Sequence, residues 1–207
     1  MSEAPQSEKI EKIESIVKKL HFFPEQTAHS ISKKDTQETF SSFWIVHVKP
    51  VINYSKELAR KYNANIEVVW LSAIFHDIAR LDGLEPHEEI GSEKAYDMLL
   101  EQGFDKEKAE KVKKTILTHR CNKHKPQTLE QKILATADAV SHFKTPFYLW
   151  FSSLSTQTFK EQLESGLKKI ERDYNEKIFF DGERKETIKE YDILKKWFEY
   201  YLEIDKL

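Results

Sequence analysis

An apolar run from Trp70 to Phe75 stops at two adjacent polar side chains, His76 and Asp77, and runs out through Arg80, Asp82 and Gly83. The apolar part demands burial. The pair at its end consists of an imidazole and a carboxylate, both good ligands for a divalent ion. The spacing predicts one helix over 66–80. Neighbouring residues on a helix point about 100° apart, so His76 and Asp77 would approach one ion only from adjacent sides. Further ligands would then come from other segments.

The rest of the chain reads as helices. Ile10, Ile13, Ile16, Val17 and Leu20 recur at helical spacing over 8–20, with Ser7 as N-cap and His21 to Pro24 closing the segment. Residues 25–39 are polar and unperiodic and read as a surface loop or short irregular helix. Helical periodicity returns through Phe43, Val46, His47, Val51, Tyr54, Leu58 and Tyr62, with Pro50 expected to kink the axis just after His47. A helix opening with His87, Glu88 and Glu89 ends at Gly103, with Gly91, Ser92 and Ala95 near the face of His87. Asp105 caps a helix that ends at His119, and Thr128 starts another that carries Asp138. Residues 146–207 are helical and rich in aromatics, and read as packing. Five Gly and six Pro leave little material for hairpins. The expectation is an all-α bundle with additional C-terminal helices, one domain over 1–207.

Composition removes several function classes. With 33% charged residues and a net charge of −2, no basic excess points to nucleic acid. Cys121 is the sole cysteine, so neither a disulfide framework nor a multi-thiolate zinc site is available, and a reducing compartment fits. No stretch of about 18 apolar residues and no signal-like N-terminus occurs, so no membrane partner is expected and the cytoplasm is the expected location.

Asp138 lies among Leu134, Ala135, Ala137, Ala139 and Val140. An unpaired carboxylate there would cost several kcal/mol, so something positive should meet it. His47, the His76-Asp77 pair and Asp138 together resemble the HD-domain superfamily of metal-dependent phosphohydrolases: a histidine, an adjacent His-Asp pair and a distant aspartate on helices of one bundle. The resemblance covers about 40–145, leaving about 146–207 as an extension. His87 in HEEIGSEKA and His119 in ILTH are similar to two further histidines of the binuclear branches.

The resemblance implies one ion held by His47, His76, Asp77 and Asp138, with Asp77 bridging to a second held by His87 and His119. The alternative is that His87 is an exposed first-turn residue and His119 a cation at a helix C-terminus. One or two ions of manganese, iron, nickel, cobalt or zinc suit imidazole and carboxylate donors. Asp77, or Asp77 together with Asp138, would also orient the attacking water. Arg80 stands where several HD branches have a phosphate-binding lysine, and it is read as a catalytic and phosphate contact, or else as a salt-bridge partner of Asp82 or Glu85. The basic loop after His119 offers Arg120, Lys123 and His124 to outer phosphates, or is simply a solvated loop. Cys121 is read as non-catalytic.

The implied function is hydrolysis of a phosphate ester or anhydride in a nucleotide or another small phosphorylated metabolite, by metal-activated water. Two readings stand beside it: a di-iron oxygenase of the same superfamily, and a degenerate HD module that binds without catalysis. A homodimer stays open.

Overall fold

The computed structural model describes residues 6–23 and 36–204, all of them helices and connecting turns, with no strand among the described residues. The helices are α1 (Gln6–Phe22), α2 (Thr36–Phe43), α3 (Lys49–Lys61), α4 (Ile66–Phe75), α5 (His87–Glu101), α6 (Lys106–Thr118), α7 (Leu129–Lys144), α8 (Phe147–Ser153), α9 (Phe159–Arg172) and α10 (Asp181–Ile204). The all-α expectation holds. α1 extends past both expected ends, so Ser7 lies inside it, and His21 is buried in its last turn. Most of the expected 25–39 loop, together with Pro24, lies outside the described residues, and 36–39 open α2 instead.

α4 is the axis of the bundle. Every residue from Val68 to Phe75 is buried, because α1, α3, α6 and α7 pack around it. A helix surrounded on all sides has no polar face to offer. Its one polar interior residue, Ser72, returns its hydroxyl proton to the Val68 carbonyl at 2.7 Å. Asn65 caps the start by accepting from the Val68 amide, Asp105 does the same for α6, and Thr128 forms a capping box with Gln131 for α7.

The chain stays helical through Pro50. α2 runs into α3 through helical dihedrals at Phe43, Val48 and Lys49. The turn Trp44–Val48 is instead a π-helical turn, with the Lys49 amide donating to the Trp44 carbonyl five residues back. Proline lacks the amide that would continue the regular ladder. The ladder has widened by one residue before reaching it, and this places His47 in the wide turn.

The C-terminal helices pack on the same core. α10 lies against α9 and α7, and Glu183 ties it to α3 by accepting from Lys61 and Tyr62, each at 2.6 Å. Tyr62 also stacks on Phe180 at 4.0 Å. Ile193, Trp197 and Tyr200 on α10 are at least half exposed. At the α9–α10 contact, a Cβ on Gly166 would stand 2.3 Å from Cε1 of Phe198, which is itself buried. Gly166→Ala is therefore expected to destabilise the protein by about 1–2 kcal/mol in urea unfolding, because overpacking outweighs the gain of up to about 1 kcal/mol in helix propensity.

Candidate metal centre

The helix that delivers the His-Asp pair is shorter than expected. α4 ends at Phe75, His76 is its C-cap, and Asp77 leaves helical geometry at φ −116°, ψ 19° before a 3₁₀ turn over Ile78–Asp82. The 100° relation between neighbours therefore does not apply. The unwinding turns the Asp77 carboxylate back towards His76, whose Nε2 lies 3.7 Å from Asp77 Oδ2. Gly83, at φ 67°, ends the 3₁₀ turn in the left-handed conformation that glycine adopts at little cost.

All six expected donors meet in one buried cluster. The π turn brings His47 Nε2 to 3.0 Å from His76 Nε2 and to 3.4 Å from both Asp77 Oδ2 and Asp138 Oδ1. On the other side of Asp77, His87 Nε2 lies 3.0 Å and His119 Nε2 3.5 Å from Oδ1. His87, the first residue of α5, and His119, the C-cap of α6, are both buried, against the alternative that His87 is exposed. α5 packs on the 3₁₀ turn, with Gly91 facing Ile78 and Ala79. The donors form groups of three: His47, His76 and Asp77; Asp77, His87 and His119; and His47, Asp138 and His142. Asp138 is thus grouped with His142 rather than with His76 and Asp77, a difference from the expected four-ligand set.

The hydrogen bonds fix which nitrogen of each ring is free. His76 Nδ1 donates to the Ala73 carbonyl at 2.8 Å, and His119 Nδ1 to that of Ile116 at 2.7 Å. His87 Nδ1 donates to Glu85 Oε1 at 3.0 Å. Ser141 gives its proton to the Asp138 carbonyl, so it accepts from His47 Nδ1 at 3.3 Å. A neutral imidazole has one proton, so each Nε2 turns a lone pair inward. The Nε2 atoms of His47 and His76 then face each other as acceptors, and Asp77 Oδ1, buried, meets no hydrogen-bond donor. Two donors bound at about 2.1 Å to one ion lie about 3.0 Å apart at a right angle and about 3.4 Å apart at a tetrahedral angle. The observed separations match that spacing, so these residues fit a divalent ion.

Electrostatics agree with this donor state. Burial holds the imidazoles of His47, His76 and His119 below the usual histidine range, keeping them neutral and able to ligate. Burial alone would raise Asp77, but the Arg80 guanidinium beside it overcomes this and holds the carboxyl well below its usual value. For Asp138 the same burial is overcome by Lys177.

Five residues around Asp138 and its neighbour Asp173 were not singled out in the sequence: Lys177, His142, Lys169, Tyr148 and Asp173 itself. Lys177 hydrogen-bonds Asp138 Oδ2. Asp173 accepts from His142 Nδ1 at 2.8 Å, from Lys169 at 2.9 Å and from Tyr148 at 3.1 Å. Burial pushes His142 down to about 3. The C-terminal region is therefore more than packing, because α9 and the turn after it supply the cations that meet Asp138 and Asp173. His142 had a signal, lying one helical turn after Asp138 on an apolar helix; Lys177 had none beyond the unmet charge of Asp138.

Arg80 turns inward. Its Nε lies 3.1 Å from Asp77 Oδ2 and its Nη1 3.8 Å from Glu85, while Asp82 pairs with Lys94. The loop after α6 is engaged with the start of α5: Arg120 with Glu85 and Glu88, Lys123 and His124 with Glu89. Cys121 is buried, and burial pushes its thiol up to about 11, which suits a non-catalytic residue.

The sequence model of the HD domain matches residues 44–142. No curated protein matches the chain. Among solved structures, the chain is similar to a predicted HD superfamily hydrolase from an uncultured Thermotogales bacterium, at 22% identity and a TM-score of 0.56, covering 92% of this chain and 90% of that one. At that identity the likeness is one of fold. Among the described residues no helix is long and apolar enough to cross a membrane.

Proposed function

Since residues 44–142 match the sequence model of the HD domain, we propose that the chain is a metal-dependent phosphohydrolase acting on a small phosphorylated metabolite. The observation that carries this reading is the convergence of imidazole lone pairs and carboxylates, with the Nε2 atoms of His47 and His76 only 3.0 Å apart. In this reading His47, His76, Asp77 and Asp138 hold one divalent ion, and Asp77, His87 and His119 hold a second. Such an ion supplies hydroxide near neutral pH, by lowering the pKa of bound water towards about 7, and polarises a phosphoryl oxygen.

The chain's own residues orient and balance this site. Each buried carboxylate already has a cation: Asp77 faces Arg80, Asp138 Lys177, Asp173 Lys169 and Glu88 Arg120. The positive charge of a bound ion is therefore left for the substrate to meet, which favours a phosphate over a neutral molecule. Arg80 keeps Asp77 aligned through Nε, and its half-exposed guanidinium is placed to meet a phosphate. Arg120, Lys123 and His124 would contact outer phosphates by exchanging their glutamate partners.

The test is a screen of nucleotides and small phosphate esters with the purified protein and manganese, cobalt, nickel or iron. Phosphate release from at least one compound, lost on chelation and restored by metal, is the expected result. Turnover that needs iron and dioxygen, without phosphate release, would assign the centre to oxygenase chemistry. Less than one equivalent of retained metal, with no thermal response to manganese, would leave a binding module.

A further inference from the structure

We infer that His142 is a metal ligand, completing with His47 and Asp138 a donor group on the α7 side of the centre. The inference rests on the metal reading above and extends it to a residue outside the six donors assigned there. His142 is buried one turn after Asp138, and its Nε2 lies 3.3 Å from Asp138 Oδ1. The donor atoms of His47, Asp138 and His142 all lie within 4.8 Å of one another.

The protonation logic is the same as for the other histidines. His142 Nδ1 lies 2.8 Å from Asp173 Oδ2, a carboxylate oxygen that can only accept, so Nδ1 carries the ring proton. Nε2 therefore meets Asp138 Oδ1 lone pair to lone pair. A buried acceptor pair of this kind is costly without a cation or donor between them. An imidazolium proton is not required to neutralise the acids, because Lys177 bonds Asp138 Oδ2 and Lys169 bonds Asp173 at 2.9 Å.

The support around His142 is that of a ligand rather than of a filler. A carboxylate on the distal nitrogen fixes the tautomer and ring orientation, as it does for metal-bound histidines generally. Phe147 stacks on one side at 3.8 Å between centroids, and His47 stacks at 4.9 Å with 21° between planes. The planes of the two imidazoles are therefore nearly parallel. Lys177, by occupying Oδ2, leaves Oδ1 of Asp138 as the oxygen facing both imidazoles.

The consequence is an asymmetric centre. The α7 side would draw on two donor groups that share His47, one with His76 and Asp77 and one with Asp138 and His142, whereas the α5–α6 side has only Asp77, His87 and His119. The first position should bind the more tightly, and the second should keep more sites open to water and substrate.

The test uses the full chain with histidine nitrogens isotopically labelled, titrated with an NMR-active cadmium isotope. Couplings from cadmium to five imidazole nitrogens are expected, one of them absent from His142→Gln. The same substitution should weaken the tighter cadmium site about 10–100-fold in calorimetry. Couplings to His47, His76, His87 and His119 but not to His142 would overturn the inference and leave the metal reading standing. No coupling to any imidazole would overturn the metal reading itself. Because the coupling is read in the parent protein, a poorly folding variant would not blur the answer.

Discussion

Asp77→Ala is expected to cut metal-dependent turnover by roughly a thousandfold or more and to reduce the thermal stabilisation that manganese gives the parent. Asp77 is the residue shared by the donor group of His47 and His76 and that of His87 and His119, with Oδ2 towards His47 and Oδ1 towards His87 and His119. No other side chain spans both. With manganese at a hundred times its dissociation constant, the parent gains about 2.7 kcal/mol, or roughly 5–10 °C for a chain of 207 residues. The variant should keep only the part of that gain that the His47, Asp138 and His142 group supplies, while its metal-free melting stays close to that of the parent. Arg80, the cation it leaves behind, is half exposed and retains Glu85 nearby. Undiminished turnover together with an unchanged manganese response would sink the assignment of the centre.

Much of this centre was legible in the chain because its residues violate the pattern around them. His76 and Asp77 end an apolar run, and Asp138 interrupts another; a buried polar group must answer to something. His87 and His119 have ordinary positions at helix ends and became candidates only through family resemblance. Neither the early end of α4 nor the π turn could be read. Ile78, Ala79 and Leu81 keep an apolar pattern that a 3₁₀ turn satisfies as well as an α-helix, and Pro50 signals a disturbed ladder without saying how it is absorbed. Lys177 and Asp173 sit in a stretch full of charges, where burial is decided by the packing of α7 against the turn after α9.

Lys177→Met is expected to be the most damaging single change away from the donors, costing about 3–5 kcal/mol of stability, or roughly 6–20 °C in melting temperature. Lys177 is almost fully buried and hydrogen-bonds Asp138, with Asp173 3.9 Å away. Removing it leaves a buried carboxylate without its cation. Asp138→Asn combined with Lys177→Met should recover much of the loss, because the two residues act as a pair. A loss under about 1 kcal/mol in urea unfolding would show that the buried pair contributes little.

The same pair sets the acid limb of stability. Asp138 and Asp173 are both held well below the usual carboxylate range: burial works against this, and Lys177 at Asp138 and Lys169 at Asp173 prevail. Below about pH 4, where free aspartates take up protons, the unfolded chain binds more protons than the native one. Stability is thus complete above that pH and drains away as pH falls towards the folded-state values. In Lys177→Met the Asp138 carboxyl moves back towards its ordinary range, so the fall below about pH 4 should be shallower. Parallel acid limbs in parent and variant would contradict the pairing.

The wide turn at Trp44–Val48 amounts to one residue spliced into an otherwise continuous rod. One residue of helix is about 100° of rotation, so the two halves of the rod are clocked against each other by that amount. Phe40 and Phe43 meet the core on one setting, and Val51 and Ile52 on the other. Shortening this stretch by one position would leave every hydrophobic side chain present yet mistime one half against its neighbours. The count of residues between Phe43 and Pro50 is therefore as much a specification of the centre as the histidine that stands among them.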